Sequence, residues 1–140
     1  MNLDCIAGIL IEAGLATALG VDIFEHHMPE SCINGILLKL PAQGIPVNHY
    51  VPDFYRARFQ AIYRNKDHAT GDAMAINIAN ALTMTNQTFY DADGMTVLLR
   101  IMQCYPVNLP IVYPRSAGNV YEWAINLSSQ YIMPNVLSQL

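Results

Sequence analysis

The longest regular pattern in the chain runs from Phe54 to Arg64, where apolar and polar side chains alternate residue by residue. Tyr55, Ala57, Phe59, Ala61 and Tyr63 fall on one side, and Arg56, Arg58, Gln60 and Arg64 on the other. A period of two over so many residues predicts a strand with one buried and one polar face. The pattern breaks at a polar turn and resumes at helical spacing. Ala75, Ile78, Ala79 and Leu82 form one stripe of a helix over Asp67–Thr83, with Asp67 as its N-cap, or Thr70 if the first turn is irregular.

Upstream, Ile6, Ile9, Leu10 and Ala13 predict a first helix over Asp4–Leu19, weakened by Gly8 and Gly14 and stopped at Gly20. Strands are predicted at Val21–His27, ended by Met28-Pro29, and at about Ile33–Leu40. The stretch Pro41–Pro52, with Gly44 and Pro46, reads as a loop. Downstream, Thr85–Gly94 reads as a polar turn closing on Asp93-Gly94. Thr96–Tyr105 reads as a strand with Val97, Leu99, Ile101 and Gln103 on one side, and Pro106, Pro110 and Pro114 punctuate the segment after it. Ser116–Asn119 marks a turn, after which Tyr121, Trp123, Ile125 and Leu127 alternate with Glu122, Ala124, Asn126 and Ser128 in a last strand. This order predicts an α+β fold, a mainly antiparallel mixed sheet with two helices packed on one face. Residues 1–132 are expected to form a single domain. Residues 133–140 are expected to be an apolar tail, docked on that domain or on a neighbour.

Composition adds a reason to expect neighbours. Of the 140 residues 53% are hydrophobic and 13% charged, against roughly 45–50% and about 25% in ordinary soluble domains. A domain of this size has too few charges to cover its surface, unless uncharged polar residues or other chains do so. Burial against other chains is the preferred reading, because obligate interfaces are apolar. The formal charge of −4 and pI near 5.4 disfavour tight sequence-specific nucleic-acid binding. The apolar run Cys5–Leu19 is interrupted by Glu12 and is too short to span a bilayer. Neither a membrane partner nor a secretory leader is expected. Three widely spaced cysteines, Cys5, Cys32 and Cys104, fit free thiols in a reducing compartment.

Catalytic chemistry finds little support. Glu25-His26-His27 is the densest cluster of metal-type side chains, but neighbours on a strand point to opposite faces. His49 and His68 are distant, and no HxH or HExxH spacing occurs. Cys32 has no basic partner in sequence, and no nucleophile elbow, P-loop or dinucleotide fingerprint is present. Asp67/Asp72 and Asp91/Asp93 are explained by a helix start and a turn. No enzyme, metal or cofactor is expected. A small metal- or ligand-binding enzyme built on His26, His27 and Cys32 is the contrary reading. The polar face Arg56, Arg58, Gln60 and Arg64 has three readings: a solvated strand face, a contact with acidic residues of a neighbouring subunit, or a contact with nucleic-acid backbone.

The ordered segments resemble the phage tail-terminator family, also called tail completion or minor capsid proteins of long-tailed phages. The likeness rests on Val21-Asp22-Ile23-Phe24-Glu25-His26-His27-Met28-Pro29-Glu30, a strand ending in a Met-Pro-acidic turn after a leading helix. Gly35-Ile36-Leu37-Leu38, the loop Ala42-Gln43-Gly44-Ile45-Pro46, the strand Tyr55–Ile62 and the helix Ala73–Leu82 continue it, over about residues 4–84. The resemblance implies a homo-oligomeric ring, typically a hexamer, capping the head-proximal end of the tail tube. Its implied partners are further copies of itself, the tail tube protein, the neck or connector protein, and genomic DNA passing without sequence specificity. Its implied place is the tail–neck junction of the virion, after assembly in the host cytoplasm. A head-completion or neck adaptor is the alternative within phage assembly.

Overall fold

The computed structural model describes residues 3–51, 53–114 and 120–134. Its elements are α1 (Leu3–Glu12), β1 (Ile23–Glu25), β2 (Gly35–Lys39), β3 (Phe54–Asn65), α2 (His68–Ala81), β4 (Met84–Tyr90), β5 (Val97–Pro106), β6 (Ile111–Pro114) and β7 (Tyr121–Ile132). The strands form one sheet in the order β1-β2-β3-β7-β5-β4, with β6 also paired to β7. The β1–β2 pair is parallel and the others are antiparallel, the α+β mixed sheet expected.

The alternating sequences of β3 and β7 make the centre of the sheet. They pair from Phe54↔Ile132 to Asn65↔Tyr121, so residues directly opposite share a face. The face bearing Tyr55, Phe59, Tyr63, Trp123, Leu127 and Tyr131 is buried with Ile6 and Leu10 of α1 and Ala75 and Ile78 of α2. Asp67 caps α2 as expected, accepting a hydrogen bond from the Thr70 amide at 3.2 Å. The helix reaches the sheet at Gly71, where a side chain would collide with the indole of Trp123. The indole Nε1 donates to Asp72 Oδ1 at 2.6 Å, which fixes the same helix end to β7.

Several elements depart from the sequence expectation. Helix α1 stops at Glu12, not Leu19, because Gly14 takes the left-handed conformation with φ +76°. The Gly14 amide then bonds to Ile11 O and the Leu15 amide to Leu10 O, both at 3.0 Å, a Schellman closure. β1 is three residues long rather than seven, and His26, with φ +67°, turns the chain away. The expected polar turn Thr85–Gly94 is mostly the strand β4. Its Thr, Asn and Gln residues suit an edge strand that is wet on its exposed positions, and only Asp91–Gly94 turn the chain. A bulge between Ile101 and Gln103 reverses the alternation of β5, so Gln103 is exposed and Cys104 is buried. β7 continues to Ile132, beyond the expected Ser128.

β5 and β6 together line the second edge of β7, separated where Pro106 and Pro110 remove donors from the ladder. Val107 keeps one bond there, from its amide to Asn126 O at 2.9 Å. The expected turn at Ser116–Asn119 and the tail from residue 135 onward lie outside the described residues.

Candidate functional site

The face of the sheet opposite the helices carries the residues singled out by alternation. The register carries this face across the sheet, aligning Lys39 with Gln60 and Asn126, Arg56 with Gln130, and Arg58 with Ser128. Ile132 aligns with Phe54 on one side and Arg100 on the other, so Arg100 belongs to the same face. Lys39, Arg56, Arg58 and Arg100 are exposed, and among the described residues none makes an ion pair. Gln60 Nε2 donates to Asn126 Oδ1 at 2.7 Å across the two central strands.

Arg64 shares the face but not the exposure, at 8%. Its Nε donates to Glu122 Oε2 at 2.9 Å across the β3–β7 pair. Its terminal nitrogen donates to the carbonyls of Pro29 (3.0 Å) and Cys32 (3.3 Å), so the side chain ties the β1–β2 connection onto the sheet. Of the four residues on the predicted polar face, Arg56 and Arg58 are free to meet a partner, Gln60 is part-buried against Asn126, and Arg64 is committed within the domain.

The charges are sorted by side. Among the described strand residues Lys39, Arg56, Arg58, Arg64 and Arg100 lie on this face with one carboxylate, Glu122, which Arg64 neutralises. The two helices carry Asp4, Glu12 and Asp72, and neither contains Lys or Arg. A chain of net charge −4 therefore presents a locally basic sheet. A groove of about 510 Å³ runs along it, lined by Lys39, Arg58, Gln60 and Asn126 with Leu40 and Pro41 on one side and Val107 and Asn108 on the other. The cations and the amide N–H groups lining this groove supply hydrogen-bond donors and positive charge, the chemistry that suits an anionic surface.

Sequence reasoning missed Lys39 and Arg100. Both occupy polar positions next to apolar ones in strands, but only the strand order brings them onto the face of Arg58 and Arg56, Lys39 from the neighbouring β2 and Arg100 from β5 across β7. The contrary site does not assemble. His26 and His27 are exposed around a tight turn, Cys32 Sγ faces Asn34 O at 3.5 Å, and no group of three metal-type side chains converges among the described residues. Burial pushes the Cys104 thiol up to about 12, which leaves it protonated and unreactive. No helix among the described residues is long and apolar enough to cross a membrane.

No curated protein sequence matches the chain. Among solved structures it is similar to a chain described as "Virion of native gene transfer agent (GTA) particle", with TM-score 0.53, 13% identity and 91% of each chain covered. At that identity the likeness establishes a shared fold. The model of the family described as "Bacteriophage tail terminator protein" matches residues 9–131. The chain therefore belongs to the bacteriophage tail terminator family, and it is a structural protein of the phage virion.

Proposed function

We propose that the chain forms a ring, by resemblance a hexamer, that caps the head-proximal end of the tail tube and joins it to the neck or connector. The carrying observation is the sorting of the surface into a basic sheet face and an acidic helix layer, on a domain of the terminator family. In this reading Arg56, Arg58 and Gln60, with Lys39 and Arg100, line the passage crossed by DNA. Arg64 holds the wall of that passage rigid. Cations without base-reading geometry attract phosphate irrespective of sequence, as passing genomic DNA requires.

A closed ring needs heterologous contacts, in which two different patches of one subunit meet across each interface. The low charged fraction, 13%, supports apolar patches of that kind. Deletion of the gene in the parent phage tests the reading. Overlong or headless tails in negative-stain images are expected, and tails of normal length on intact virions would sink it. Filled heads that leak DNA, with tails of normal length, would instead favour the neck adaptor.

A further inference from the structure

The chain leaves β7 beside an apolar groove. The Met133 amide donates to Asp53 O at 3.0 Å, and Ile132 aligns with Phe54, so the exit lies against the first residue of β3. Phe54 and Arg56 line the groove from the sheet, and Pro46, Val47, Asn48 and Val51 line it from the loop before β3, around a volume of about 380 Å³. Val47 is 55% exposed and Val51 48%. Among the described residues of the lining only Arg56 is charged.

Reach, chemistry and an orphaned acceptor select the occupant. Residues 135–140 carry three large apolar side chains, Val136, Leu137 and Leu140, and no charge. Six extended residues span up to about 20 Å. Paired antiparallel residues such as Ile132 and Phe54 have Cα atoms only about 5 Å apart, so the groove is well within that span. Asp53 Oδ1 is buried at the exit and has no hydrogen-bond partner among the described residues. A buried oxygen of this kind is normally satisfied, and the backbone amides following Pro134 are donors that the sequence delivers to this point.

We infer that Val136, Leu137 and Leu140 dock in this groove of their own chain and strap the loop over residues 46–51 onto β3. The inference goes beyond the ring reading and does not depend on it. Attachment favours the chain's own segment over that of a second copy. A short tether holds the segment at an effective concentration on the order of millimolar, far above that of a second copy in dilute solution. An uncharged segment also makes no demand on the Arg56 guanidinium, so the basic face stays available to phosphate.

Hydrogen exchange and disulfide trapping on the full chain test the strap. The Val51 and Phe54 amides donate to Asn48 O at 3.0 Å and Val51 O at 3.1 Å, and so report on the loop. Leu137→Asp/Leu140→Asp is expected to speed their exchange at least about tenfold, while circular dichroism and exchange at the centres of β3 and β7 stay as in wild type. Exchange of the loop amides at the wild-type rate overturns the inference. If that variant unfolds, Leu137→Asn/Leu140→Asn replaces it, with the same acceleration expected. Val47→Cys/Leu137→Cys is expected to close a disulfide within one chain under mild oxidation of dilute protein, identified by peptide mass. A disulfide between these positions that forms only between chains assigns the groove to a second copy and overturns the inference, as does the absence of any. Tail length in the deletion phage decides the ring-terminator reading independently of these outcomes.

Discussion

Gly71 stands in the first turn of α2, where intrinsic propensity favours alanine over glycine by about 1 kcal/mol. A Cβ at that position would lie 1.9 Å from the Trp123 ring, with two further ring atoms at 2.4 Å. Overpacking of this kind costs about 1–3 kcal/mol and requires the helix to move, so packing outweighs propensity. Gly71→Ala is expected to lower stability by about 2 kcal/mol in urea denaturation, and a stabilised variant would contradict the close approach. Arg64 gives the complementary lesson. Its alternation with Tyr63 identified a polar face, yet its neighbours, Glu122 and the carbonyls of Pro29 and Cys32, come from distant segments. Removing Glu122 is costly because the Arg64 guanidinium then stays buried and charged without its counter-ion.

Helix α1 and strand β1 meet through two carboxyl groups, Glu25 and Asp4. Burial, then the hydrogen bond and negative charge of Asp4, raise the Glu25 carboxyl from its ordinary 4.5 to about 7. A raised carboxyl means that the folded state holds its proton more tightly than the unfolded chain does. Stability from this junction is therefore full below about 4.5 and falls as pH rises to about 7. Glu25→Gln is expected to remove that slope. The check is the urea midpoint of wild type minus variant across this window, a difference in which the histidines cancel. Asp22 acts in the opposite sense: burial raises it, but hydrogen bonds from the Thr17 and Ala18 amides outweigh that and lower it. Its contribution holds above its ordinary value and is lost as pH falls through the lowered one. Both groups fasten the turn between α1 and β1, whose length the sequence pattern misjudged. Gly14, read as a flaw in a longer helix, is the residue that ends it.

Across the whole molecule, charge is separated more sharply than its total of −4 suggests. The cations of β2, β3 and β5 converge on one face, and the carboxylates of the helices lie behind it. Under the proposed function this face meets DNA phosphates as the genome passes. Arg56→Gln/Arg58→Gln is then expected to leave folding and assembly intact while weakening duplex DNA binding equally for all sequences. The slope of log K against log salt should fall by about 2 in magnitude, roughly 0.9 for each phosphate that is no longer neutralised. An unchanged slope would remove these arginines from any role at DNA. Loss of assembly instead would place them between subunits.

Local periodicity determined much of this protein. The twofold alternation of β3 and β7, the helical stripe and Asp67 cap of α2, and the α+β class come from which side chains water excludes at a given repeat. Periodicity does not report strand order, because hydrogen bonding between strands is a long-range choice made by the packed core. Only the tertiary structure brought Lys39 and Arg100 to the face of Arg56 and Arg58, drew Arg64 inward, and made β4 a strand.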